Sequence, residues 1–234
     1  MSWKQLAIIV ICAGAHAATA LADNHADAKV DLLTALQAYE PGAPVTDSVL
    51  AAIDTAAAAL EAAAEPPDLA ANPAAAKGIW INRFSSQGIV GEIDLMFMTR
   101  ALPGGGKPGR KANSLTVVQE LDPEKRFYRN LMTMTAGEPA IPLLYIATAD
   151  LGVAATAPNV LEVAFHTIAF VPARADVTLA DVRAALGVAA EAPLSIDVPQ
   201  DPERPPSTST VTYLDDDLRI NRGKDYIAIL QRVR

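Results

Sequence analysis

The stretch Thr210–Arg234 reads T-V-T-Y-L-D-D-D-L-R-I-N-R-G-K-D-Y-I-A-I-L-Q-R-V-R. Two runs in which apolar and polar residues alternate flank a charged turn. Alternation with a period of two puts every second side chain on one face, which is the pattern of a half-buried strand. Three carboxylates, Asp215, Asp216 and Asp217, are followed by Leu218, then by the guanidiniums Arg219 and Arg222, and by Gly223. The chain therefore closes on antiparallel strands joined by tight, charged turns.

The same period runs backward from there to Gly78. Residues 78–84, 89–99, 114–121, 126–135, 143–148 and 160–171 alternate. The breaks between them hold turn residues: Ser85-Ser86, Pro103 to Gly109, Asp122-Pro123, Gly137-Glu138-Pro139 and Ala157-Pro158. Many short strands with close turns define a mainly β fold, an antiparallel barrel or sandwich. On the strand 160–171, Val163, Phe165 and Ala169 are expected on one side, and Ile168 and Phe170 on the other. Apolar groups on both sides fit a closed barrel with a helix on its outside, or a sheet covered on both faces. One helix interrupts the strands. Thr178 and Asp181 form a capping pattern ahead of Leu179, Val182 and Leu186, and Gly187 follows.

Ahead of Gly78 the period is helical. Residues 23–77 are alanine-rich. Val30, Leu33 and Leu36, with Leu32 and Tyr39, make the apolar stripe of a first helix, which Pro41-Gly42 stops. Val49, Ile53, Ala57 and Leu60 make that of a second, N-capped by Thr46 or Asp47 and ended by Pro66-Pro67. Residues 1–22 read as a secretory signal peptide. Lys4 is followed by an apolar core from Leu6 to Ala13, and Ala20-Leu21-Ala22 fits the cleavage pattern. The expected mature chain starts at Asp23 and is periplasmic or secreted. Its organisation is then 23–77, a helical region and linker, and 78–234, the barrel.

Cys12 is the only cysteine and lies within that leader. The mature chain would have no disulfide, thiolate nucleophile or cysteine-ligated metal. The formal charge of −8 becomes more negative on loss of Lys4. A field of that sign does not favour nucleic acid or anionic headgroups.

The terminal motif Tyr213-Leu214-Asp215-Asp216-Asp217-Leu218-Arg219-Ile220, with Arg222-Gly223 and the last apolar run, resembles the closing segment of the plastid lipid-associated (PAP/fibrillin) family. Gly78-Ile79-Trp80 is similar to that family's Gly-x-Trp on its first strand, after a helical stretch and a proline-containing linker. Gln119 to Asp122 and Asn130 resemble a further motif. Asn221 and the run Asp225 to Ala228 depart from the family pattern, and the leader is of bacterial secretory type, not a transit peptide. The resemblance implies a lipocalin-like barrel, association with lipids, carotenoids or quinones, and an indole that closes the barrel's base near an arginine of the last strands.

Trp80 is read as a core plug that also lines the ligand. Met96 with Met98, and Met132 with Met134, come as alternate pairs on two strands. Soft side chains of that kind suit an adaptable apolar cavity, and equally a plain core. His166 is expected as a buried, hydrogen-bonded imidazole and is a candidate ligand contact. Tyr213, Arg219 and Arg222 are candidates for contact with a polar head. They are also candidates for a structural clasp, in which Arg219 and Arg222 fork onto Asp215, Asp216 or Asp217, with Asp217 and Arg219 as natural i, i+2 partners. Ile220 stands where an EF-hand loop needs glycine, so the three acids do not read as a calcium loop. Pro103 to Lys111 imitates a phosphate loop but has Ala101 for the first glycine and Pro108 after Lys107. It reads as a basic hairpin tip and a candidate for peripheral membrane contact. No Gly-x-Ser-x-Gly elbow and no metal-ligand spacing occurs. The expected function is non-enzymatic binding of a small hydrophobic molecule, without cofactor, metal or nucleic acid. A packed scaffold acting through its surface is the alternative.

Overall fold

A computed structural model describes residues 24–199 and 205–234. The leader read in residues 1–22 lies outside them. Contacts divide the chain into two compact units.

The first unit holds two helices, α1 (24–38) and α2 (Asp47–Ala62). Helix α1 buries Ala28, Leu32 and Leu36, with Tyr39 just past its end; Val30, placed in the stripe by sequence, is exposed. Helix α2 buries Ile53, Ala57 and Leu60 at helical spacing. The Thr46 hydroxyl accepts from Val49 N–H at 3.3 Å, so Thr46 is the N-cap.

The second unit is built on ten strands: β1 (Gly78–Ser85), β2 (Gly91–Asp94), β3 (Lys111–Asp122), β4 (Phe127–Ala136), β5 (Ile141–Val153), β6 (Val160–Pro172), β7 (Ser195–Asp197), β8 (Ser207–Leu214), β9 (Leu218–Gly223) and β10 (Tyr226–Arg232). The order β1-β10-β9-β8-β6-β5-β4-β3 is antiparallel throughout, and β3 returns to pair with β1 (Ile79 opposite Glu120). Eight strands thus close into a barrel. Strands β2 and β7 add to β3 and β6. Closure removes the free edges that an open sheet would leave to other chains. It also leaves an interior about wide enough for one layer of side chains or a small ligand.

Two apolar clusters fill the ends. One gathers Trp80, Leu121, Tyr128, Ala149, Leu151, Leu161, Val211 and Leu230. The other gathers Leu95, Val117, Met132, Met134, Leu143 and Phe170 with Val182, Ala185 and Leu186 of α4 (Leu179–Leu186). The Thr178–Asp181 capping box forms, and Gly187 takes the left-handed conformation at φ 67°.

Three expectations need correction. Met96 and Met98 are not on a strand: β2 stops at Asp94, and Met96–Thr99 is a single helical turn, α3. The Asp94 carboxylate accepts from Met96 N–H at 2.8 Å, and this local bond takes the backbone out of the sheet. His166 is exposed, not buried. Thr148 pairs with Thr167 and Ala149 with Phe165, so His166 is the extra residue of a β-bulge. Phe165 and Ile168 consequently share the inner face instead of opposing one another. Finally, Asp217 precedes β9 and sits in the turn, so strand parity does not pair it with Arg219.

Candidate ligand-binding site

Trp80 is fully buried, and its Nε1–H donates to the Ala76 carbonyl at 3.1 Å. Register puts it opposite Arg232 of β10. The Arg232 guanidinium lies 4.3 Å from the ring centroid, donates to the Ala75 carbonyl at 2.9 Å, and also reaches the Lys77 carbonyl. Gly78 makes room for it. Its φ is +146°, and a Cβ there would stand 2.7 Å from Arg232 Nη1. The Gly-x-Trp motif is therefore a steric unit: the glycine admits the arginine, and the arginine covers the indole. At the turn from β9 to β10, a Cβ on Gly223 would meet the Tyr226 ring at 2.0 Å. The Tyr226 hydroxyl bonds to Ser209 Oγ at 2.9 Å.

A polar layer lies between the two apolar clusters. On β3, Gln119 falls between Val117 of one cluster and Leu121 of the other; on β4, Asn130 falls between Met132 and Tyr128. Gln119 and Asn130 are direct cross-strand partners. Asn82 is two residues beyond Trp80, opposite Leu230, which in turn faces Arg219. Asn221 follows on the same face of β9. Asn82, Arg219 and Asn221 are buried, Arg219 completely.

Arg219 dominates this layer. Its Nη2 donates to Gln119 Oε1, and its guanidinium carbon is 5.0 Å from the Trp80 ring centroid. Nε and Nη1 are buried with no hydrogen-bond partner among the described residues. Burial lowers its pKa from 12.5 to about 10, and Arg232 adds to the effect; the phenols of Tyr128 and Tyr226 oppose it. Among the described residues no carboxylate forms an ion pair with it or contributes to its lowered pKa. The Oδ1 atoms of Asn82, Asn130 and Asn221 are likewise buried without partners. Such groups cost about 1–3 kcal/mol each when left unpaired, more when charged. Several inward-facing neighbours, Gln119, Asn130, Tyr145, Phe165 and Ile168, are only partly buried although they point into the barrel.

Met132 and Met134 line the inner face of β4 and are buried. Met96 and Met98 belong to α3, and Met98 packs against the same cluster. Tyr213 and Ile220 face outward, because a bulge between Val211 and Tyr213 shifts the phase of β8. Leu218 and Ile220 are buried on that outer face. Arg222, opposite Thr210 and Ile227, is on the outer face and partly buried. His166 also faces outward, with Nδ1 at 3.1 Å from the Thr167 hydroxyl.

The acidic run makes a turn. Asp215 Oδ1 accepts from Asp217 N–H at 2.8 Å and Leu218 N–H at 2.7 Å, and its Oδ2 accepts from the Tyr213 hydroxyl at 2.6 Å. Burial and the Asp215 carboxylate both push the Tyr213 hydroxyl pKa up. Asp217 pairs with Arg234 at the surface, and Asp216 is exposed. The clasp foreseen from sequence is thus a carboxylate on backbone amides and a phenol, while Arg219 turns inward to Gln119 and Trp80.

Among the described residues, no group of three or more His, Asp or Glu is placed to hold a metal ion, and no helix is long and apolar enough to cross a membrane. A cleft of about 700 Å³ lies outside the barrel, lined by Glu92, Arg110, Lys111, Glu138 and Asp181 among others. Its charged walls do not suit an apolar guest.

A closed eight-stranded antiparallel barrel, plugged by an indole under an arginine of the last strand, is a lipocalin-like barrel. The PAP_fibrillin family model matches residues 26–231, and the chain belongs to that family. Neither the curated proteins nor the solved structures compared with the chain gave a match.

Proposed function

We propose that the barrel takes a small, mainly apolar molecule into its interior and carries it without chemical change. The observation that supports this most is the middle layer of the barrel. A solidly packed interior satisfies its buried polar groups and leaves little space beside them. Here Asn82, Asn130, Asn221 and Arg219 all hold buried polar atoms without partners, and inward-facing Tyr145, Phe165 and Ile168 stay partly accessible. Apolar walls above and below, with Met132 and Met134 among them, suit a lipid, isoprenoid or quinone. Burying such a guest gains roughly 25 cal/mol per Å² of apolar surface. Trp80 stands at the base of this space. Tyr213, Arg222 and His166, which face outward, are not part of the proposed site. The carrier reading includes export with removal of residues 1–22, which would place the protein where apolar molecules need a vehicle through water.

The alternative, a scaffold working through its surface, has one observation in its favour: β9 and β10 are buried on both faces, as in a rigid framework. Titration of delipidated protein with an apolar fluorescent probe separates the two. A carrier binds it saturably in the micromolar range and shows a change in Trp80 emission in a Trp3→Phe background. A scaffold shows neither.

A further inference from the structure

We propose that the ligand is an amphiphile with a carboxylate head, and that Arg219 inside the barrel receives that carboxylate. This rests on the carrier reading above and adds the head group to it. Among the described residues the interior has one fully buried guanidinium, Arg219, whose Nε and Nη1 have no partner there, while Nη2 is held by Gln119. A guanidinium has five N–H donors, and a planar carboxylate is its best-matched acceptor. A second cation, Arg232, lies over the same Trp80 ring, 4.3 Å from its centroid, and acts unfavourably on Arg219. The Trp80 end therefore carries an excess of positive charge, in a chain whose formal charge is −8.

The rest of the barrel supports this polarity. Gln119 and the Trp80 ring hold the Arg219 plane in position, so the donors are fixed before a ligand enters. Tyr128, on the inner face beside them, is protonated well above its usual range because of burial, and it offers a hydroxyl, not a phenolate, to an incoming anion. The apolar chain of the ligand then runs along the opposite cluster, past Met132, Met134, Leu143 and Phe170. One carboxylate neutralises one guanidinium. A phosphate monoester brings a second charge into an apolar enclosure, where an unpaired charge is costly.

The test is calorimetric titration of the delipidated protein, as purified from its own host, with oleate, oleyl alcohol and oleyl phosphate, which share one chain. Wild type is expected to bind oleate about tenfold or more tightly than the alcohol, and more tightly than the phosphate. Arg219→Met is expected to keep the alcohol affinity and lose the preference for oleate. Arg219→Gln, a second neutral variant, should behave as Arg219→Met does, and it serves if the first fails to fold. Equal binding of oleate and alcohol by wild type overturns the carboxylate assignment and leaves the carrier reading standing. Tighter binding of the phosphate overturns the choice of carboxylate. An unchanged oleate preference in both variants removes Arg219 from the site. If no member of the series binds to folded wild type, the carrier reading falls as well.

Discussion

Arg219→Met tests how the interior is balanced in the absence of ligand. The substitution removes a guanidinium that is wholly buried and has, among the described residues, no carboxylate acting on it. Lowering its pKa from 12.5 to about 10 corresponds to a cost of about 3 kcal/mol for the charged form, at 1.36 kcal/mol per pKa unit. Against this stand the contact with Trp80, worth roughly 2 kcal/mol when desolvated, and the charged hydrogen bond to Gln119, worth roughly 1.5–3 kcal/mol. These nearly cancel, and methionine refills most of the space with apolar atoms. Replacing a buried ion pair by apolar residues of similar volume is commonly neutral or stabilising by ~1–4 kcal/mol, and the large loss is seen where removal of one partner leaves another charge buried; Arg219→Met leaves only the neutral Gln119. Urea melts of delipidated wild type and Arg219→Met should therefore agree within ~1 kcal/mol, or favour the variant. At this chain length 1 kcal/mol moves the thermal midpoint by about 2–4 °C. A loss of 3 kcal/mol or more would refute the reasoning, because it would mean that the guanidinium is a fully paired structural clasp.

Asp215→Ala should cost ~1–3 kcal/mol in the same melt, since two backbone amides and the Tyr213 hydroxyl lose their acceptor. Arg234→Ala, which breaks only the exposed pair with Asp217, should cost under ~1 kcal/mol. Equal losses would contradict the turn assigned to Asp215. Burial raises the Tyr128 hydroxyl above its ordinary 10.0, so above pH 10 the unfolded chain sheds a proton that the folded chain keeps. Stability should fall as pH rises through that window. Arg219, lowered, contributes with the opposite sign, so the informative comparison is Tyr128→Phe, which should fall less steeply than wild type. Parallel pH profiles would show that Tyr128 is not shielded. Intact mass of the exported protein should match a chain that begins at Asp23, and a full-length chain held in the membrane would remove the export proposal.

The regular parts of this fold were legible because they depend on neighbours in sequence. Thr46, the Thr178–Asp181 box and Gly187 act over three or four residues, and each sits where its pattern places it. Alternation located most strands, and the Gly78–Trp80 motif located the barrel's base. The misreadings have a different origin. Met96 to Thr99 continue the alternating run, but the Asp94 carboxylate holds the Met96 amide and the chain leaves the sheet there for one helical turn. His166 followed the parity of its strand until a bulge, set by pairing with β5, added one residue. Sequence proximity points Arg219 to its acidic neighbours, whereas its partner Gln119 is 100 residues away. The polar layer does leave a signal in the sequence: Asn82 and Trp80 share a parity, and so do Asn221 and Arg219. Sequence parity identifies which residues share a face, and only closure of the barrel shows that these faces meet.

The most direct test of the carrier account is native mass spectrometry of the protein purified from its own host, followed by organic extraction of the bound fraction. The account predicts one amphipathic molecule per chain, released on unfolding and recovered in the organic phase. A population of bare chains that also fails to take up an apolar probe after delipidation would contradict it.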